Sequence, residues 1–120
     1  MPVHPRILIV DDDSQLRTFL SILFKRAGFT VNTAASGKDA INVCSQEPFD
    51  VVLSDVVMPG MDGHQLVQWV ATHFPATRTA LMSGTDLACR ECSLSPRCSL
   101  IAKPFQPAEI VPFVDQVLAA

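Results

Sequence analysis

Val51-Val52-Leu53-Ser54-Asp55-Val56-Val57-Met58-Pro59-Gly60 is the stretch whose reading decides the fold. An apolar run ends abruptly in a carboxylate, and a second short apolar run ends in a Pro-Gly turn. A run of Val and Leu has the character of a strand buried on both faces, as in a parallel sheet. Asp55 then stands at the C-terminal end of that strand, the edge where open α/β sheets hold their ligands. Taken alone, such an aspartate is more often a turn or helix-cap residue. The rest of the chain shifts that balance.

Working outward, the same pattern recurs. Ile7-Leu8-Ile9-Val10 is a wholly apolar run followed at once by Asp11-Asp12-Asp13. Leu16, Phe19, Leu20, Leu23, Phe24 and Ala27 then recur at helical spacing, which predicts a helix over 14–27 capped by Asp13 or Ser14 and ended by Gly28. Residues 29–34 read as a second strand, and Ser36 with Asp39 opens a helix that turns Ala40, Ile41 and Cys44 inward. Downstream of the central strand, Asp62-Gly63 opens a helix carrying Leu66, Val67, Val70 and Phe74 on one face. Residues 79–82 form a fourth strand ending in Ser83-Gly84-Thr85, and residues 100–102 a fifth ending in Lys103-Pro104-Phe105. Pro107 suits the first position of a last helix, which Pro112 should bend or shift. Alternating strands and helices of this kind make an α/β fold, a parallel sheet covered on both faces. One domain accounts for residues 1–120.

That topology brings the reactive side chains to one edge. Asp11 and Asp12 follow strand one, Asp55 strand three, Ser83 strand four and Lys103 strand five. Converging carboxylates repel each other and need a cation, either Lys103 or a metal. Clustered oxygen donors suit a hard ion such as Mg²⁺. A carboxylate beside Mg²⁺, an ammonium and a hydroxyl makes a site for a phosphoryl group, with the carboxylate as nucleophile. Asp55 is central and is the candidate nucleophile. Asp11, Asp12 and the backbone carbonyl of Val57 are candidate metal ligands, and Ser83 and Lys103 candidate partners of the phosphoryl oxygens.

These motifs resemble the response regulator receiver domain, the CheY-like fold of two-component signalling. The resemblance spans nearly the whole chain: residues 7–13, Asp55 with Met58-Pro59-Gly60-Met61-Asp62-Gly63, Met82-Ser83-Gly84, and Lys103-Pro104-Phe105. It implies a doubly wound, five-stranded, flavodoxin-like sheet of order 2-1-3-4-5. It implies Mg²⁺-dependent phosphotransfer to Asp55 from a histidine kinase or phosphotransfer protein. The output is then a changed surface that regulates a partner or an attached domain. Such a domain catalyses only its own phosphorylation and dephosphorylation. The resemblance also implies a switch role for Ser83 and a cis Lys103-Pro104 peptide.

The chain departs from the family pattern in its switch and hydrolysis-tuning residues and, secondly, in a cysteine-containing segment. Three residues before the lysine, many receivers carry an aromatic that couples to the switch hydroxyl; here it is Leu100. Val57 and Thr85 stand where other receivers tune hydrolysis, and neither is suited to orienting a water. The second departure is Cys89-Arg90-Glu91-Cys92-Ser93-Leu94-Ser95-Pro96-Arg97-Cys98. Pro96 and the serines predict an irregular cysteine-containing segment in place of a regular fourth helix, with at most a short helix near residues 87–92. Cys89, Cys92 and Cys98 are candidates for a disulfide or a metal site, with three free thiols as the bland alternative. A zinc would need a fourth ligand such as Asp86 or Glu91.

Composition excludes several classes. The formal net charge is −3 and no stripe of Lys or Arg appears, which argues against direct nucleic-acid binding. No apolar run approaches membrane-spanning length, and residues 1–6 lack the core of a signal peptide. The expectation is a cytoplasmic protein with reduced thiols, no membrane partner and either a monomeric or a dimeric state. Two other readings compete with a receiver: a redox- or metal-responsive module sensing through the cysteines, and a phosphohydrolase with Asp55 as nucleophile. The complete acidic site argues against the first. The lack of a second acid to activate water, and of a substrate-binding cap, argues against the second.

Overall fold

Ile7, Leu8, Ile9 and Val10 are all fully buried, as befits a strand with helices on both sides. The computed structural model describes residues 4–84 and 99–119. In chain order the elements are β1 (Arg6–Val10), α1 (Ser14–Arg26), β2 (Thr30–Ala34), α2 (Gly37–Gln46), β3 (Val51–Asp55), α3 (Gly63–His73), β4 (Arg78–Ser83), β5 (Ser99–Ala102) and α4 (Pro107–Ala119). All pairings are parallel and the order is β2-β1-β3-β4-β5, the order that the family resemblance implies.

Successive residues of a strand face opposite sides of the sheet, so each strand feeds two cores. Ile7, Ile9 and Leu53 pack with Leu20 and Phe24 of α1 and with Ile110 and Val114 of α4. Leu8, Val10 and Val52 pack with Ala40 and Cys44 of α2 and with Leu66 and Val70 of α3. Burying each such side chain contributes roughly 1.5–3 kcal/mol, set against the conformational entropy lost on folding. Asp11 and Asp55 share the parity of Ile7, Ile9 and Leu53. Both therefore emerge at the end of the sheet on the side covered by α1 and α4.

The helix boundaries follow the caps. Asp13 caps α1, accepting from the N–H groups of Gln15 and Leu16, while Ser14 is the first helical residue. Gly28, at φ 95°, takes the left-handed conformation after the helix. Asp62 caps α3 in a capping box with Gln65, a partner the sequence reading did not single out. Some expectations are corrected. Phe19 is 42% exposed and Ala27 is exposed, because they flank the buried stripe of Leu20 and Phe24. Pro112 lies within α4 without shifting its start from Pro107. Phe29 precedes β2, with its ring edge-on to Phe24 at 5.0 Å. Trp69 is half-buried, in contact with Phe74 and stacked on the exposed His73 at 4.2 Å. Thr85, Cys89, Cys92, Cys98, the short helix near residues 87–92 and the proposed ligands Asp86 and Glu91 lie outside the described residues.

Candidate functional site

The three consecutive aspartates after β1 have three different fates. Asp13 is used as the α1 cap. Asp11 continues the strand direction: its N–H donates to the Ala34 carbonyl at 3.2 Å, and its side chain is only 1% exposed. Asp11 Oδ1 accepts from the Asp13 N–H at 2.9 Å. Asp12 is exposed and lies between them. Among the described residues its carboxylate makes no hydrogen bond or ion pair.

Asp55 ends β3 with its side chain 13% exposed. The chain just beyond it is held on both sides. The Val56 N–H donates to Met82 O at 2.9 Å, and the Gly63 N–H donates to Val56 O at 2.8 Å. Lys103 follows β5, and its backbone N–H donates to Ser83 O at 2.8 Å, which ties the lysine to the end of β4. The Lys103-Pro104 peptide is cis, as the sequence resemblance implies.

These constraints converge on a small polar cluster. The Lys103 ammonium lies 3.2 Å from Asp55 Oδ1 and 3.5 Å from Asp11 Oδ2. One carboxylate oxygen from each of Asp11, Asp12 and Asp55 falls within 4.8 Å of the others. Burial pushes the Asp11 carboxyl above its ordinary range; the Asp13 N–H and Lys103 oppose that, and the Asp55 and Asp12 charges add to it. Asp11 Oδ2 is buried with no hydrogen-bond partner, because the lysine contact is an ion pair without hydrogen-bond geometry. A buried carboxylate oxygen left in this state is costly unless a cation completes it. Three converging carboxylates against one ammonium, all oxygen donors, fit a hard divalent cation.

The other residues singled out in the sequence surround this cluster. Ser83 is buried at the end of β4, one residue beyond Met82, which pairs with Asp55 in the sheet. Leu100 pairs with Leu81 in the β4–β5 ladder and packs half-buried against Val67 and Leu81. Val57 lies two residues past Asp55 with its side chain 66% exposed. A hollow of about 480 Å³ lined by Leu16, Phe19, Gly84, Lys103, Pro104 and Phe105 opens beside the lysine. A larger one, about 670 Å³ and lined in part by Phe49, Asp50, Phe74 and Pro75, opens at the opposite edge of the sheet, away from the carboxylates.

Sequence reasoning missed two residues here. Gly63 packs directly on the backbone of Asp55 and Val56, so that a Cβ would meet the Asp55 carbonyl oxygen. Its place in Asp62-Gly63, at the start of a helix returning to the strand end, was the available signal. Arg17 donates from its guanidinium to the Asp11 carbonyl at 2.6 Å. Its only signal was a cation one turn into the helix after an acidic triplet.

The family model of the response regulator receiver domain matches residues 7–115. The response regulator receiver protein CpdR of Brucella abortus is 32% identical over 117 residues, covering 96% of this chain and 98% of that protein. The DNA-binding transcriptional regulator NtrC of Klebsiella pneumoniae is 33% identical, with 92% of this chain matching only 24% of its length. The solved structure of the chemotaxis response regulator CheY4 of Vibrio cholerae superposes with a TM-score of 0.85 at 28% identity, covering 95% of this chain and 98% of that one. Sheet order, acidic strand ends and these likenesses all lead to the same place: the chain belongs to the response regulator receiver domain family, the signalling domain of two-component phosphorelays.

Proposed function

We propose that this domain accepts a phosphoryl group on Asp55 from the phosphohistidine of a histidine kinase or phosphotransfer protein. The observation that carries the reading is the Lys103 ammonium 3.2 Å from Asp55 Oδ1, with the Asp11 and Asp12 oxygens grouped beside it. An Asp55 oxygen attacks phosphorus. The new P–O bond forms as the donor's P–N bond breaks, and the imidazole leaves with the electron pair. Lys103 neutralises charge on the phosphoryl oxygens, and the Ser83 hydroxyl donates to one of them. Asp11, Asp12, Asp55 and the Val57 backbone carbonyl hold Mg²⁺, which when bound supplies charge neutralisation at the phosphoryl oxygens.

The output is a change of surface. Withdrawal of Lys103 from Asp11 and movement of Ser83 toward the phosphoryl group alter the ends of β4 and β5, where Leu100 repacks in place of an aromatic. The partner is a separate protein, or a domain attached to this one as in the NtrC-like relative. The unit spans residues 1–120 and works in the cytoplasm, catalysing only its own phosphorylation and dephosphorylation.

The test is intact mass after incubation with acetyl phosphate and Mg²⁺. Wild type gains one phosphate, and Asp55→Asn gains none. A phosphate increment that persists in Asp55→Asn overturns the assignment.

A further inference from the structure

Asp12 poses a physical problem. Its carboxylate is exposed and, among the described residues, has no hydrogen bond or ion pair to hold it. Yet one of its oxygens falls within 4.8 Å of oxygens on Asp11 and Asp55. Its placement therefore depends on its backbone. The Asp11 carbonyl and the Asp12 N–H belong to one rigid peptide plane. That plane lies just past the last β1 pairing, where the ladder offers the carbonyl no partner. Arg17 supplies one, donating from its guanidinium to the Asp11 oxygen at 2.6 Å.

Arg17 itself is half-buried on α1 and forms no ion pair with any carboxylate among the described residues. A guanidinium beside an acidic cluster would ordinarily pair with a carboxylate in a fork. Here it is engaged by a backbone carbonyl. The Asp11 N–H is held in turn by Ala34. The peptides on both sides of Asp11 are thus pinned, and the direction in which Asp12 leaves the strand is set.

We propose that Arg17 is a positioning residue: by clamping the Asp11–Asp12 peptide it aims the Asp12 carboxylate for divalent-cation binding. This rests on the reading that the carboxylate cluster holds Mg²⁺. Arg17 contacts the Asp11 backbone carbonyl and none of the three carboxylates. It acts through Asp12, much as outer groups orient metal ligands elsewhere, where their loss typically weakens affinity by about 10–100-fold.

The test is a cycle of Arg17→Met, Asp12→Asn and the double variant, read by calorimetric Mg²⁺ titration and by urea unfolding in chelator. Methionine keeps much of the aliphatic stem and removes the donor. Arg17→Met is expected to weaken Mg²⁺ binding by about tenfold. In the Asp12→Asn background the same change should alter affinity by less than about twofold, the scatter expected of uncoupled sites. Arg17→Lys, which restores a cationic donor without the planar guanidinium, should recover part of the loss. If Arg17→Met does not fold, Arg17→Leu, which also lacks a donor, takes its place in the same cycle. Wild-type binding with unchanged affinity in the Arg17 variant overturns this inference alone, as does an equal loss with and without the Asp12 carboxylate. No Mg²⁺ binding by the wild type at millimolar ion overturns the metal reading together with it.

Discussion

Gly63 lies against the backbone of Asp55 so closely that a Cβ would meet the Asp55 carbonyl oxygen and come within 2.9 Å of Val56 Cα. The obstruction is backbone, not the far end of a flexible side chain, so it cannot swing aside. Gly63→Ala must displace the start of α3 or the end of β3. Overpacking of this kind costs about 1–3 kcal/mol. The loss should appear in urea unfolding, together with slower phosphorylation by acetyl phosphate, because Asp55 moves relative to Lys103. Wild-type stability and rate in the variant would show that the contact relaxes without cost.

Mg²⁺ should stabilise the unphosphorylated protein, since the native state alone brings Asp11, Asp12 and Asp55 together. At about ten times its Kd the ion contributes about 1.4 kcal/mol. Melting with and without Mg²⁺ reads this directly. Asp12→Ala should lose most of the rise; an equal rise in that variant removes Asp12 from the ligand set.

Asp11 should destabilise the metal-free fold as pH rises. Its carboxyl is pushed above the ordinary range chiefly by burial. The folded state therefore keeps the Asp11 proton to higher pH than the unfolded chain does. Stability then falls with rising pH between the unfolded and folded values, and the deficit is complete above the folded one. Asp11→Asn retains an oxygen to accept from the Asp13 N–H. In chelator it should be more stable than wild type near neutrality, with the difference shrinking as pH falls into the ordinary carboxylate range. A wild type that equals or exceeds the variant at neutral pH contradicts this account.

Val57 presents an apolar, 66% exposed side chain two residues from Asp55. It has nothing with which to hydrogen-bond an attacking water, and hydrolysis gains from a group that orients one. The phosphorylated form should be long-lived, and Val57→Asn should shorten its half-life after the donor is removed. Unchanged decay would mean that this position does not set the rate.

Much of this protein was legible in its sequence. The apolar runs ending in Asp11 and Asp55, the helical spacing of Leu20 and Phe24, and the caps at Asp13 and Ser36 are local patterns, and they survive intact in the fold. Strand order followed from the resemblance, and the convergence of Asp11, Asp12, Asp55 and Lys103 followed from that order. Distances, burial and division of labour required the tertiary structure. Sequence could not say that Asp11 would be buried with one carboxylate oxygen left without a hydrogen bond, or that Phe19 would face outward while Leu20 is buried. Nor could it say that Gly63 would be pressed on Asp55, or that Arg17 would serve a carbonyl and not a carboxylate. The physical reason is the same in each case. Periodicity and capping are written within a few residues of chain. Which oxygen is left without a partner, and which backbone approaches which, depends on elements distant in sequence that meet only when the sheet is assembled.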